Sequence, residues 1–211
     1  MSKVLLLTYL IISLSSTGSA QEFFSGQPVS HDNFFSPIKG SPLLFNDWVK
    51  GKVVSNNALF KNDSMLFNLD KVSQRLLATV DKQIEYKIDK KEFQSVTFYL
   101  GDLTCTFEHV PAINYKDLFF VIIKTDDKYS LYKYMHTEIR GRTYVEWAVY
   151  YILFPFPEVH FLRLNTVNKK VIQRAFALSK DFQKINNYYS QHSTDEPNEY
   201  FLKKMVEYLN E

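Results

Sequence analysis

Thr143–Pro157 reads TYVEWAVYYILFPFP, with one charge, two prolines and a dense run of large apolar and aromatic side chains. A membrane-spanning helix needs about 20 apolar residues, more than this run supplies. Aromatic and β-branched side chains suit a pleated, packed surface. The stretch is therefore expected to form one strand buried on both faces. It should turn at Pro155 and Pro157 into another strand at Glu158–Asn165. The rest of the chain, or a partner, must cover it.

Working outward toward the N-terminus, Leu118–Lys124 (LFFVIIK) also lacks alternation and is expected to be buried on both faces. Tyr129–Ile139 is mixed, with Tyr129, Tyr132 and Tyr134 at a boundary. Earlier segments alternate with a period of two. Met65, Phe67 and Leu69 form one such set, Val96, Phe98 and Leu100 another, and Leu103, Cys105 and Phe107 a third. That period marks a strand with one wet face. Asn56-Asn57, Asp70-Lys71, Asp81-Lys82, Asp89-Lys90-Lys91, Gly101-Asp102 and Asp126-Asp127-Lys128 are turn-prone breaks between these runs. Short runs broken this often imply hairpins and antiparallel pairing.

Past Asn165 the period changes. Val171, Ile172, Ala175 and Phe176 lie at helical spacing behind Thr166 or Asn168, either of which can cap. Ser179 is a second candidate cap, ahead of Phe182, Ile185 and Tyr189. Thr194–Pro197 reads as a third helix start, followed by a stripe of Phe201, Met205, Tyr208 and Leu209. The fold class expected is α+β. A predominantly antiparallel sheet, a meander or partly open barrel over 39–165, is followed by a tail of two or three short helices over 166–211, packed on the sheet.

The chain has 211 residues, 45% hydrophobic and 16% aromatic, enough for a substantial core. Its N-terminus carries Lys3, an apolar run Val4–Leu14, and a small polar segment ending in Gly18-Ser19-Ala20. This is the pattern of an export signal over 1–20, cut after Ala20. The alternative is a buried strand or an uncleaved anchor, against which the run is shorter than a span. A polar arm over 21–38 follows, with Phe23, Phe24, Phe34 and Phe35, and is expected to be flexible. Loss of Lys3 and no acid takes the formal charge from +2 to +1, which offers no electrostatic case for nucleic acid or anionic lipid. The sole cysteine, Cys105, has no internal partner, which fits a bacterial envelope better than a disulfide-stapled secreted domain. Asn62-Asp63-Ser64 matches the N-glycosylation pattern, read in that setting as chance.

Gly40–Val53, GSPLLFNDWVKGKV, resembles the segment that opens a group of uncharacterised, exported, strand-rich proteins of Bacteroidota after their leader. The hairpins through Asp70 and Asp89-Lys90 are similar, as is the tail from Lys169 to Asn210. Thr137–Tyr151 is longer and more apolar than in that group. The resemblance implies export and a strand-rich body with a helical tail. It implies no activity.

Catalytic patterns are sparse. Cys105 and His109 are four apart and His136 and Glu138 two apart, but neither pair has a second pair to complete a metal site. No Gly-x-Ser-x-Gly elbow, phosphate loop or dinucleotide fingerprint occurs. No catalytic, metal or cofactor residue is therefore assigned. Cys105 shares parity with Phe107 and is read as a small core filler. Glu146 interrupts an apolar strand, either as a rim carboxylate facing water or Arg140 and Arg142, or as an inward acid that needs a partner. Tyr132, Tyr134, Glu146, Trp147 and Tyr150 are the candidate partner surface, because Tyr and Trp combine apolar area with a polar tip. The function expected is a non-catalytic interaction or structural module, periplasmic or extracellular, meeting another envelope protein. The rivals are an exported hydrolase whose acids converge only on folding, and a small outer-membrane barrel. Lys50, Lys52 and Lys87 on outward faces argue against the barrel.

Overall fold

A computed structural model describes residues 39–55, 59–60, 64–155 and 160–211. The expected leader and arm, the Asn56-Asn57 break, Asn62 and Asp63 of the glycosylation pattern, and the turn over 156–159 lie outside the described residues. The fold is α+β: one antiparallel sheet, then three helices.

The strands are β1 (Val49–Ser55), β2 (Leu59–Phe60), β3 (Leu66–Asp70), β4 (Arg75–Thr79), β5 (Tyr86–Ile88), β6 (Phe93–Leu100), β7 (Leu103–Val110), β8 (Asn114–Ile123), β9 (Ser130–Arg140), β10 (Thr143–Leu153) and β11 (Phe161–Leu164). They run in the order β11-β10-β9-β8-β7-β6-β1-β3-β4-β5, with β2 paired aside on β1. The sheet is a meander from β6 to β11. On its other side β1 is inserted between β6 and β3, so the chain must cross back after β5. A 3-10 turn at Lys90–Glu92, capped by Asp89, carries that return.

The ladder does not close, yet the sheet curls over its inner face. Phe67, Leu76 and Ala78 from β3 and β4 meet Phe98, Phe107 and Leu118 from β6, β7 and β8 in one buried cluster. Register shifts at Val54/Ser55, His109/Val110 and Val121/Ile123 add local bend and twist to the strands. Gly51 permits the tightest approach. A Cβ there would lie 2.9 Å from the Thr97 carbonyl oxygen and 3.2 Å from the Phe67 ring.

Side chains and a strap close the curl where the ladder stops. Gln74 Nε2 donates to the Met135 carbonyl at 2.7 Å, and Lys71 Nζ pairs with Glu146. The strap runs from Lys39, which bridges Thr143, to Leu43, which bridges Asp70. The β3–β4 turn is thus tied to β9 and β10 from more than sixty residues away in sequence.

The helices are α1 (Lys169–Ala175), α2 (Phe182–Gln191) and α3 (Glu199–Asn210). Asn168 caps α1, its Oδ1 accepting from the backbone N–H of Lys170 and Val171. Asn198 caps α3 by accepting from Phe201 N–H at 3.0 Å. Ile172, Phe176, Ile185, Tyr188, Leu202, Met205 and Val206 bury against Leu131, Ile152, Phe154 and Leu164. The tail therefore roofs the inner face at the β9–β11 end. Each such large apolar side chain contributes about 1.5–3 kcal/mol when fully buried.

Several expectations change. Thr143–Pro155 is covered unevenly rather than throughout: Ile152 on one face and Val149 on the other are buried, while Glu146 and Trp147 are exposed. The helices cover only one face, and no second layer among the described residues covers the other. The strand after the prolines is β11, beginning at Phe161 rather than Glu158. In Leu118–Lys124, Leu118 and Phe119 bury on opposite faces, while the rest is half-buried or exposed. Ser179 does not cap α2. Its Oγ accepts from Asp181 N–H, and Asp181 occupies the cap position without a side-chain cap bond. The third helix starts at Glu199, not at Thr194–Pro197, because Asn198 supplies the cap.

Candidate functional site

The five surface candidates divide between two faces. In β9 and β10 the cross-strand pairs are Tyr132↔Tyr151, Tyr134↔Val149 and His136↔Trp147 on one parity, and Lys133↔Tyr150 and Thr137↔Glu146 on the other. Opposed residues share a face. Tyr132, Tyr134 and Trp147 therefore lie on the outer face, and Glu146 and Tyr150 on the inner one.

On the inner face Tyr150 is a structural tie. Its hydroxyl donates to Glu199 Oε2 at 2.8 Å, and Lys133 Nζ reaches the same oxygen at 2.7 Å. Burial disfavours the charged form of Glu199, but the hydrogen bonds from Lys133 and Tyr150 and the lysine charge outweigh it and hold its pKa below the ordinary value. Burial first, then the bond to Glu199, pushes the Tyr150 hydroxyl up. This triad anchors the first turn of α3, where a carboxylate is favoured by the helix dipole. Glu146 is a rim carboxylate with a 60% exposed side chain. Its partner is Lys71, not an arginine, and Arg140 instead pairs with Glu138.

The outer face carries a connected set of rings. His136 and Trp147 lie 4.9 Å apart, Trp147 and Tyr134 6.1 Å, Tyr134 and Phe119 5.8 Å, Phe119 and Tyr151 5.4 Å, and Tyr151 and Phe161 5.6 Å. These separations fall in the range where aromatic pairs attract beyond simple area burial. Phe119 and Tyr132 are the buried floor. Trp147 and Phe161 remain 40% and 38% exposed. The rim is polar. Tyr132 donates to Glu108 Oε1 at 3.1 Å, Lys124 pairs with Glu108, and Arg163 acts electrostatically on Tyr151. Burial, reinforced by Asp117, raises the Tyr134 hydroxyl. His136 Nδ1 is buried with no hydrogen-bond partner among the described residues.

Phe119, Tyr151 and Phe161 also belong to this surface, and His136, which the sequence marks only as half of a spaced ligand pair, joins it as a ring. One signal was available: in a strand, Tyr151 has the parity of Trp147, whereas Glu146 and Tyr150 do not.

Elsewhere two candidate groups, His109 and Cys105, are held by structure. A cleft of about 900 Å³ is lined by Lys90, Phe93, His109 and Lys116 among others. His109 does not reach into it as a base, since its ring nitrogens lie 3.0 Å from the carbonyl oxygens of Asp117 and Lys90. Cys105 is half-buried against the inner core, and burial pushes its thiol up to about 11. Among the described residues no three His, Cys, Asp or Glu side chains converge as a metal site, and no helix is long and apolar enough to cross a membrane.

Comparison with family models, curated proteins and solved structures finds no match to this chain.

Proposed function

We propose that this chain is an exported, non-catalytic interaction module of the bacterial envelope whose contact surface is the outer aromatic face of β8–β11. The observation that carries the reading is the six-ring set from His136 to Phe161, in which Trp147 and Phe161 are open to solvent. Exposed aromatic area rimmed by charges is characteristic of partner surfaces. The described carboxylates support it too. Glu108, Glu138, Glu146, Glu199 and Glu207 are each taken up in an ion pair with a lysine or arginine. The leader pattern ending at Ala20 supports export, and the resemblance of Gly40–Val53 supports a Bacteroidota envelope setting.

The test is a photo-crosslinking amino acid placed at position 147 in the natural host, with a control at Thr106 on the polar part of the same face. A recurrent adduct from position 147 alone, in the envelope or medium fraction, is the expected result. Equal adducts from both positions, or none, overturn the surface. Mass spectrometry of the mature N-terminus tests the cut after Ala20.

A further inference from the structure

We propose that the open edge of β10, over Val145–Val149, accepts an extended peptide as an added antiparallel strand. This names the partner's chemistry for the aromatic face above and rests on that reading. The edge is already paired at both ends. Lys39 N–H donates to the Arg142 carbonyl and Tyr144 N–H donates to the Lys39 carbonyl, each at 3.0 Å. At the far end β11 pairs from Tyr150 to Leu153. Between them, backbone parity turns the N–H and C=O of Glu146 and Ala148 the same way as Tyr144 N–H, away from β9. Neither residue has a backbone partner on that side among the described residues.

The gap lacks the usual defences of a bare edge. It contains no proline and no bulge, since β9 and β10 stay in unbroken register from Arg140↔Thr143 to Ser130↔Leu153. Its one charge, Glu146, is turned to the inner face and held by Lys71. The strap and β11 cap the gap at about five residues, which admits a short segment and blocks longer sheet stacking.

Strand addition gives main-chain bonds for affinity and alternate side chains for specificity. Residues across from Val145, Trp147 and Val149 fall on the aromatic face and should be apolar. The residue across from Glu146 falls beside a carboxylate that is 60% exposed and should be basic. The one across from Ala148 should be small.

The probe is acetyl-Val-Thr-Val-Lys-Val-amide added to the full chain. Glu146 and Ala148 amides should exchange quickly in the free protein, faster than those of Val145 and Trp147, and become protected with peptide. Backbone N-methylation at the probe's Thr and Lys should weaken binding at least tenfold, because those two N–H groups face the edge. Ala148→Pro should do the same by removing an edge donor, which an edge strand tolerates. The N-methylated probe keeps the test decisive if that variant fails to fold. Slow exchange at Glu146 and Ala148 in the free protein, or equal binding of the N-methylated probe, overturns the proposal. If crosslinking from position 147 persists in that case, the aromatic surface stands and strand addition alone falls.

Discussion

The Lys71–Glu146 pair offers a test of how the sheet closes, because its two members are unequally buried. The Lys71 side chain is 9% exposed and that of Glu146 is 60% exposed. Removing the carboxylate with Glu146→Ala leaves a buried ammonium without its anion. For a fully buried pair that loss is about 3–5 kcal/mol. For a pair at the surface it is about 0–1 kcal/mol. A half-buried pair lies between, so about 2 kcal/mol is expected. Removing the cation with Lys71→Met leaves Glu146 facing water and replaces a buried charge with an apolar side chain of similar reach. That change should cost less than about 1 kcal/mol and can stabilise. Urea denaturation followed by circular dichroism reads both. With a slope of about 2 kcal/mol per molar, Glu146→Ala moves the midpoint down by about 1 M and Lys71→Met by less than half that. The double variant should resemble Lys71→Met alone, since Glu146 has nothing left to neutralise. Equal losses from both single variants, or no loss from Glu146→Ala, would refute the claim that the turn at Lys71 is locked onto β10 by this contact.

Four further outcomes follow from the packing and the electrostatics. Gly51→Ala should destabilise by about 1–2 kcal/mol in the same assay, because the new Cβ meets the Thr97 carbonyl oxygen at 2.9 Å. Gly101→Ala has open space but a φ of +65°, so its cost is backbone strain and Gly101→Asn should recover part of it. Glu199 has a lowered folded pKa, so its contribution is present above its unfolded value of about 4.5 and lost as pH falls through the lower folded value. Glu199→Gln should therefore cost about 1 kcal/mol at neutral pH and little in acid, a difference that denaturation across pH 2.5–7 measures. Cys105, with its thiol raised to about 11 by burial, should react with a maleimide slowly in the native protein at pH 7 and promptly in urea. Prompt native labelling would contradict its place beside Phe98 and Phe107.

Much of the local structure was legible in the chain. Alternation at Met65, Phe67 and Leu69, at Val96, Phe98 and Leu100, and at Leu103, Cys105 and Phe107 predicts strands with one buried face. Most of these residues bury, but Leu100 and Leu103, flanking the Gly101-Asp102 turn, are exposed and Cys105 is half-buried. The helical spacing of Ile185, Tyr189, Phe201, Met205 and Leu209 predicts the faces that α2 and α3 turn to the sheet, whereas around α1 Ile172 and Phe176 bury but Val171 and Ala175 stand exposed. These are effects of neighbours within a few residues, where a period of two or 3.6 decides which way each side chain points. The α+β class follows from them. Where the period is absent the sequence is ambiguous: a dense apolar run such as TYVEWAVYYILFPFP looks the same whether its faces are covered evenly or not.

The chain alone therefore determined most of its strands and helices and the parity of residues within each strand. Only the tertiary structure decided which parities meet. β1 lies between β3 and β6, Lys71 finds Glu146, and Trp147 joins His136 and Tyr134 while Glu146 and Tyr150 turn to the other face. The reason is physical. Parity is written into a single strand by backbone geometry, but the register between strands and the choice of covered face depend on contacts between residues that lie tens of positions apart. Those contacts also set the aromatic face: the three helices roof one side of β9–β11, and Trp147 and Phe161 stand exposed on the other.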